Sequence, residues 1–153
     1  LERLSNPTPW TTRCIQYVVN NKRTACRVAA TLGDALGGVL AVVDVGPASG
    51  RADALRQWLV GTALPAALAM PGMVGAHFGE ADPVATTVKT DEKKLLQTPD
   101  AMARWLVLLE GVDRDVLARA VRQVLGDAAL RGAGADGEID RREYQLGFVM
   151  ARR

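Results

Sequence analysis

Histidine occurs once and cysteine twice among the 153 residues of this chain, and those scarcities exclude several function classes at the outset. Cys14 and Cys26 form no CxxC motif and His77 is the sole imidazole, so a structural zinc site built from Cys and His, which usually takes four such ligands, is not expected. Two separated thiols also make no disulfide framework, and both are expected reduced. No apolar run approaches the ~20 residues a membrane helix requires, and no signal-peptide pattern is present, so the cytoplasm is the expected compartment and no membrane partner is expected. Aromatic residues make up only 5%, and nineteen basic against seventeen acidic side chains leave a formal charge of +2. The basic residues are scattered, with no run longer than Arg141-Arg142 or Arg152-Arg153. A groove that tracks phosphates needs clustered Lys and Arg, so nucleic acid is not an expected partner. GxGxxG, P-loop and GxSxG motifs are absent, leaving dinucleotide binding, NTP hydrolysis and a nucleophile elbow without support; no cofactor is expected.

What the chain does hold is ordinary globular material, 48% hydrophobic and 24% charged, enough for one domain or one and a fraction. Asn6-Pro7-Thr8-Pro9-Trp10 stops one segment and starts another, with Thr8 as N-cap and Pro9 at the first helical position. Trp10, Cys14, Tyr17 and Val18 then fall on one face of a helix ending near Asn20-Asn21. A strand is expected over 24–32, followed by the glycines Gly33, Gly37 and Gly38. The run 39–45 (VLAVVDV) is β-branched and nearly all apolar, as in a central strand. After a turn at 46–50, Leu55, Trp58, Leu59 and Ala63 repeat at helical spacing, with Pro65 bending or restarting the helix and Pro71-Gly72 ending it. A strand over 73–81, a short helix at 90–96, a strand over 103–110, a long helix over 113–130, a turn at 132–137 and a strand over 143–151 complete the reading.

From residue 37 onward the order is βαββαβ, two split β-α-β units. The expected fold class is α+β, a ferredoxin-like antiparallel sheet with both helices on one face and strand order 4-1-3-2. The first and third strands, the most apolar, then stand at the centre. Residues 1–36 form a preceding helix–strand segment, and residues 37–153 the domain. Strand alternation assigns the faces. Gly75, His77 and Gly79 point away from the helices, as do Glu143, Gln145, Gly147 and Val149, while Tyr144, Leu146, Phe148 and Met150 point toward them. Asp44 and Glu110 join the face away from the helices. Trp10, Trp58 and Trp105 read as core or interface anchors. Asp91-Glu92-Lys93-Lys94 reads as a solvated helical turn.

A sheet with helices on one face only must cover the other, or expose a large apolar patch. Asn6-Pro7-Thr8-Pro9-Trp10-Thr11, Cys26-Arg27-Val28, the 33–38 glycine cluster, Gly50-Arg51-Ala52-Asp53-Ala54-Leu55 and Pro71-Gly72-Met73-Val74-Gly75-Ala76-His77 resemble the dimeric α+β-barrel superfamily, in particular its EthD-like small bacterial members. The resemblance implies two sheets paired face to face around a cavity, in a homodimer or in a pseudo-dimer of tandem repeats. On the second arrangement residues 1–36, beginning with what reads as the end of a helix at Leu1–Leu4, are the close of a truncated first repeat. His77, Asp44, Gln145 and Glu110 are the candidate polar lining, with Gly75 and Gly79 leaving space around the imidazole. Two functions follow as expectations. One is binding of a small hydrophobic or aromatic molecule, as an accessory protein in catabolism or secondary metabolism. The other is a cofactor-independent cyclase, isomerase or monooxygenase acting on an aromatic or polyketide-like compound, with His77 as the acid–base. Some relatives in that superfamily bind haem through a histidine; here only His77 could serve as axial ligand.

Overall fold

The computed structural model describes residues 8–17, 22–87 and 102–149. They fall into two compact units, one of residues 1–25 and 81–103, the other of residues 26–80 and 104–153. The smaller unit holds helix α1 (Pro9–Cys14), begun by the Thr8 side chain accepting from the Thr11 N–H, and a following 3-10 turn at Ile15–Tyr17. Trp10 is 74% exposed, so of the expected roles of core or interface anchor the core one does not hold for it. The same unit pairs Ala25 with the short helix at Pro83–Thr86: the Ala25 N–H donates to Thr86 Oγ1 and the Asp82 N–H to the Ala25 carbonyl. The expected end of the first helix at Asn20-Asn21, the short helix at 90–96, the segment Leu1–Leu4 and Met150 lie outside the described residues.

The larger unit is an α+β structure built on a five-stranded antiparallel sheet: β1 (Cys26–Leu32), β2 (Val39–Pro47), β3 (Met73–Ala81), β4 (Trp105–Gly111) and β5 (Ala135–Gln145), in the order β1-β3-β4-β2-β5. The order differs from that of a simple βαββαβ unit because β1 adds an edge strand beside β3. The apolar strands β2 and β4 stand together inside the sheet, as their composition dictates. Their odd-numbered residues Val43, Val45, Val107 and Leu109 are fully buried. They share a core with Leu55, Leu59 and Leu64 of one helical connection and Leu117, Ala120 and Leu130 of the other.

The first helical connection is α2 (Ala52–Trp58), a π turn at Leu59–Ala63, and α3 (Leu64–Leu68). Pro65 explains the wide turn, because it has no N–H to return to the carbonyl four residues back, and the ladder opens just ahead of it. The expected long helix over 113–130 is two helices, separated where Gly126 takes an extended conformation and starts the next one. We label the Pro83–Thr86 helix α4, and these two α5 (Arg114–Val124, capped by Asp113 on the Val116 N–H) and α6 (Asp127–Ala133).

The largest correction concerns the last strand. It starts at Ala135, eight residues before the expected position, because Gly134 at φ 114° completes the turn alone. The polar stretch from Asp136 to Glu143 has the composition of a loop, yet it is the exposed edge strand paired to β2, with Leu40 opposite Tyr144 and Val42 opposite Arg142. That register reverses the expected facing. Tyr144 and Arg142 share the face of Leu40 and Val42, away from the helices, while Glu143 and Gln145 lie opposite the inward residues Ala41 and Val39.

Two stability expectations arise from this frame. Gly33 sits at φ 81°, and a Cβ there would run into the carbonyl oxygen of Val74 on the neighbouring strand. Gly33→Ala is expected to cost about 2 kcal/mol, from the left-handed backbone and the lost approach together. Urea unfolding followed by far-ultraviolet circular dichroism reads that cost, and an unchanged midpoint would contradict it. The second concerns Glu80, which is buried on the helix side yet charged. Its carboxylate accepts from the guanidinium of Arg56, which also pairs with Asp53, and from Arg27 at 3.1 Å; Arg56 further lies over the Trp105 ring at 5.4 Å. The Arg56 hydrogen bond, and then Arg27, hold the Glu80 carboxyl below the usual carboxylate range although burial pushes the other way. A depressed pKa contributes stability that is complete above the unfolded value of about 4.3 and is lost as pH falls through the folded value. Glu80→Gln is therefore expected to cost about 2 kcal/mol at pH 7 and to flatten the decline of the urea midpoint in acid. A variant whose acid profile matches the parent would contradict the assignment.

Candidate functional site

The face of the sheet away from this unit's helices is laid out in rows by the strand registers. The middle row runs Arg142, Val42, Leu108, His77 across β5, β2, β4 and β3. Beside it on one side stand Tyr144, Leu40, Glu110 and Gly75, and on the other Asp140, Asp44, Leu106 and Gly79. Leu40, Val42, Leu106 and Leu108 thus make an apolar floor, and each is only partly covered. Alternation explains the pattern: the even-numbered positions of β2 and β4 must all face the same way.

One ionisable pair is set into this floor. His77 Nε2 lies 3.3 Å from Glu110 Oε1, with side chains 27% and 20% exposed. Neighbouring strands bring them together, His77 sitting one row from Glu110, and Gly75 keeps the place open. A Cβ on Gly75 would stand 3.1 Å from His77 Nε2 and 3.4 Å from Glu110 Cβ. The other carboxylate oxygen of Glu110 is held by the Gly37 N–H at 2.8 Å. Gly37 belongs to the glycine-rich connection between β1 and β2, and a Cβ there would meet Glu110 Cβ and the Gly111 backbone at 2.9 Å. The carboxylate is therefore pinned on one side by backbone and faces imidazole on the other. Such a pair can accept a ligand's N–H or O–H, and it can pass a proton between a ligand and imidazole.

The remaining candidates are placed differently. Asp44 shares the face but lies in the far row, where its Oδ1 accepts the Arg104 N–H at 3.1 Å beside the irregularity between Asp44 and Gly46. Gly79 lies in Asp44's row and makes room for Cys26: a Cβ there would be 3.1 Å from Cys26 Cβ. Burial first, and then the charge of Asp44, push the Cys26 thiol up, which keeps it protonated and a poor nucleophile. Gln145 pairs with Val39 in the β2–β5 register, at the end of the sheet where it shares a cleft with Glu110. So His77, Glu110 and Gly75 come together, Gln145 approaches Glu110 from the strand end, and Asp44 and Gly79 stand a row beyond His77. Gly37 and Tyr144 were not among the expected site residues. Only the glycine cluster signalled the first, and the misplaced start of β5 hid the second.

No family model and no curated protein matches this chain, so the EthD-like resemblance rests on the residues quoted for it. Among solved structures, one described as a major regulator of staphylococcal pathogenesis is similar in fold, with a TM-score of 0.57 at 10% sequence identity, over 84% of this chain and 72% of that one. At that identity the likeness carries the fold alone.

Proposed function

We propose that this chain is a small-molecule-binding protein of the dimeric α+β-barrel type, EthD-like in character. In this reading β2 to β5 form a ferredoxin-like unit, β1 extends its edge, and a second copy covers the apolar face. A hydrophobic or aromatic ligand then lies on Leu40, Val42, Leu106 and Leu108 with its polar group at His77 and Glu110. The observation that carries the reading is this floor of four aliphatic side chains around one His–Glu pair. A pocket of that composition gives a ligand apolar contact and a single polar fixture, which is how small-molecule sites combine affinity with orientation. Among the described residues no helix is long and apolar enough to cross a membrane.

The 3.3 Å approach of His77 to Glu110 favours a second reading on the same site, a cofactor-independent enzyme that moves a proton on its ligand with His77 as acid–base. His77→Ala tests the residue on which both readings rest. Titration with the neutral fluorophore N-phenyl-1-naphthylamine is expected to show about tenfold weaker binding, the equivalent of ~1.4 kcal/mol, with fold and assembly unchanged. Unchanged affinity would remove His77 from the site, and an unfolded or dissociated variant would make it structural.

A further inference from the structure

At the end of the sheet, where β2, β4 and β5 meet the glycine-rich connection, lies a cleft of about 200 Å³. Leu36, Val39, Leu40 and Leu146 supply its apolar walls, and Glu110, Tyr144 and Gln145 its polar groups. The Leu146 N–H donating to the Gly38 carbonyl at 2.9 Å ties the chain beyond β5 to the connection that forms the other wall. The cleft is thus built from backbone pairing rather than from loose side chains.

We infer that this cleft is a subsite for a single neutral aromatic ring bearing a hydrogen-bond donor, a phenol in the simplest case. Size sets the ring count within the cleft: an apolar cavity of roughly 150 Å³ accepts benzene, so the cleft itself seats one ring with a small substituent, and any larger ligand extends from it over the sheet face. Chemistry sets the substituent. Glu110 is the charged group of the cleft, and when ionised it only accepts. One of its oxygens already takes the Gly37 N–H and the other faces His77, yet each retains a lone pair for a ligand O–H. A carboxylate ligand would place a second negative charge beside the first among aliphatic walls, a cost of several kcal/mol in weakly solvated surroundings. An unsubstituted ring would fill the walls but leave Glu110 without its new donor. The inference rests on the proposed reading of this sheet face as ligand-binding, and it narrows that ligand to a ring entering beside Glu110, with its hydroxyl near His77.

The test uses p-cresol, toluene and benzoate as probes on the full chain, and reads the imidazole resonances by NMR, which are unambiguous because the chain has a single histidine. p-Cresol is expected to bind saturably and to move the His77 signals, toluene to bind at least fivefold more weakly, and benzoate not to bind. Leu40→Trp fills the cleft and is expected to weaken p-cresol at least tenfold, its fold checked by circular dichroism. Glu110→Gln keeps the shape, and is expected to erase the preference for p-cresol over toluene and to admit benzoate. Equal binding of toluene and p-cresol, or a Glu110→Gln variant with the parent's preferences, would overturn the donor assignment. Undiminished binding to folded Leu40→Trp would overturn the location. Sedimentation equilibrium on the same samples keeps the two readings apart. A dimer that ignores p-cresol sinks the subsite alone, and a monomer that binds it sinks the paired-sheet reading alone.

Discussion

Replacing Leu108 with arginine is expected to turn the proposed dimer into a monomer while leaving the fold intact. Leu108 stands in the middle row of the apolar sheet face, between Val42 and His77 in register, and its side chain points away from the helices. In the proposed assembly that position is covered by the second copy. A guanidinium placed there loses water, and the nearby carboxylate of Glu110, two residues along the same strand, is already engaged by His77 and the Gly37 N–H; in a twofold interface each substitution enters twice. Stranding a buried charge costs about 3 kcal/mol or more, and at 1.4 kcal/mol per decade that is at least a hundredfold in the dissociation constant. Within the chain the position is half-buried and on the face away from the core, and the long arginine side chain can reach water from it, so the monomer's urea midpoint should move far less than the assembly. Sedimentation velocity across a concentration series checks this. A variant that assembles like the parent would mean that the β4 face is not the interface.

The opposite face of the same sheet predicts the opposite signature. Phe78, adjacent to His77 in sequence but directed into the core, is fully buried and meets Trp105 edge-to-face, ring centroids 5.2 Å apart. Phe78→Ala removes a large side chain from a packed interior and leaves a cavity that its strand-bound neighbours cannot collapse into. The expected loss is about 4 kcal/mol, a large part of the roughly 5–15 kcal/mol available to a domain. The urea midpoint should fall steeply, with any change in assembly following from unfolding rather than preceding it. A loss below about 1 kcal/mol, the ordinary effect of a surface change, would place Phe78 outside the core. Neighbouring positions on β3 are thus expected to separate core from proposed site, with substitution of Phe78 read in stability and that of His77 in binding.

Which parts were legible in the sequence follows from how strongly each segment's composition constrains it. The strands at 39–47 and 105–111 are nearly all apolar and that at 73–81 carries Ala76 and Phe78 on the parity opposite to His77, which is enough to assign their faces. That placed His77 and Glu110 on one face correctly. What parity could not supply was the lateral row, which depends on strand register, and so Asp44 was grouped with a pair from which it stands apart. β5 was misread because an exposed edge strand has no apolar repeat to mark it. Asp136-Gly137-Glu138 has the composition of a turn, and only its pairing with β2 makes it a strand. The apolar residues at its end suggest the wrong parity, because Leu146 and Phe148 already lie beyond the strand. The same error hid Tyr144, whose place beside Leu40 and Glu110 belongs to the register. The break between α5 and α6 escaped for a simpler reason: one glycine inside an amphipathic run costs only about 1 kcal/mol, which sequence pattern alone does not distinguish from a continuous helix.

The paired-sheet account is tested most directly by native mass spectrometry of freshly purified protein. It predicts a dimer, and a dimer that retains a small non-covalent mass if ligand survives purification. A bare monomer at micromolar concentration would contradict it: the apolar face around His77 and Glu110 would then be covered by something other than a second copy, and the enclosed site would be lost.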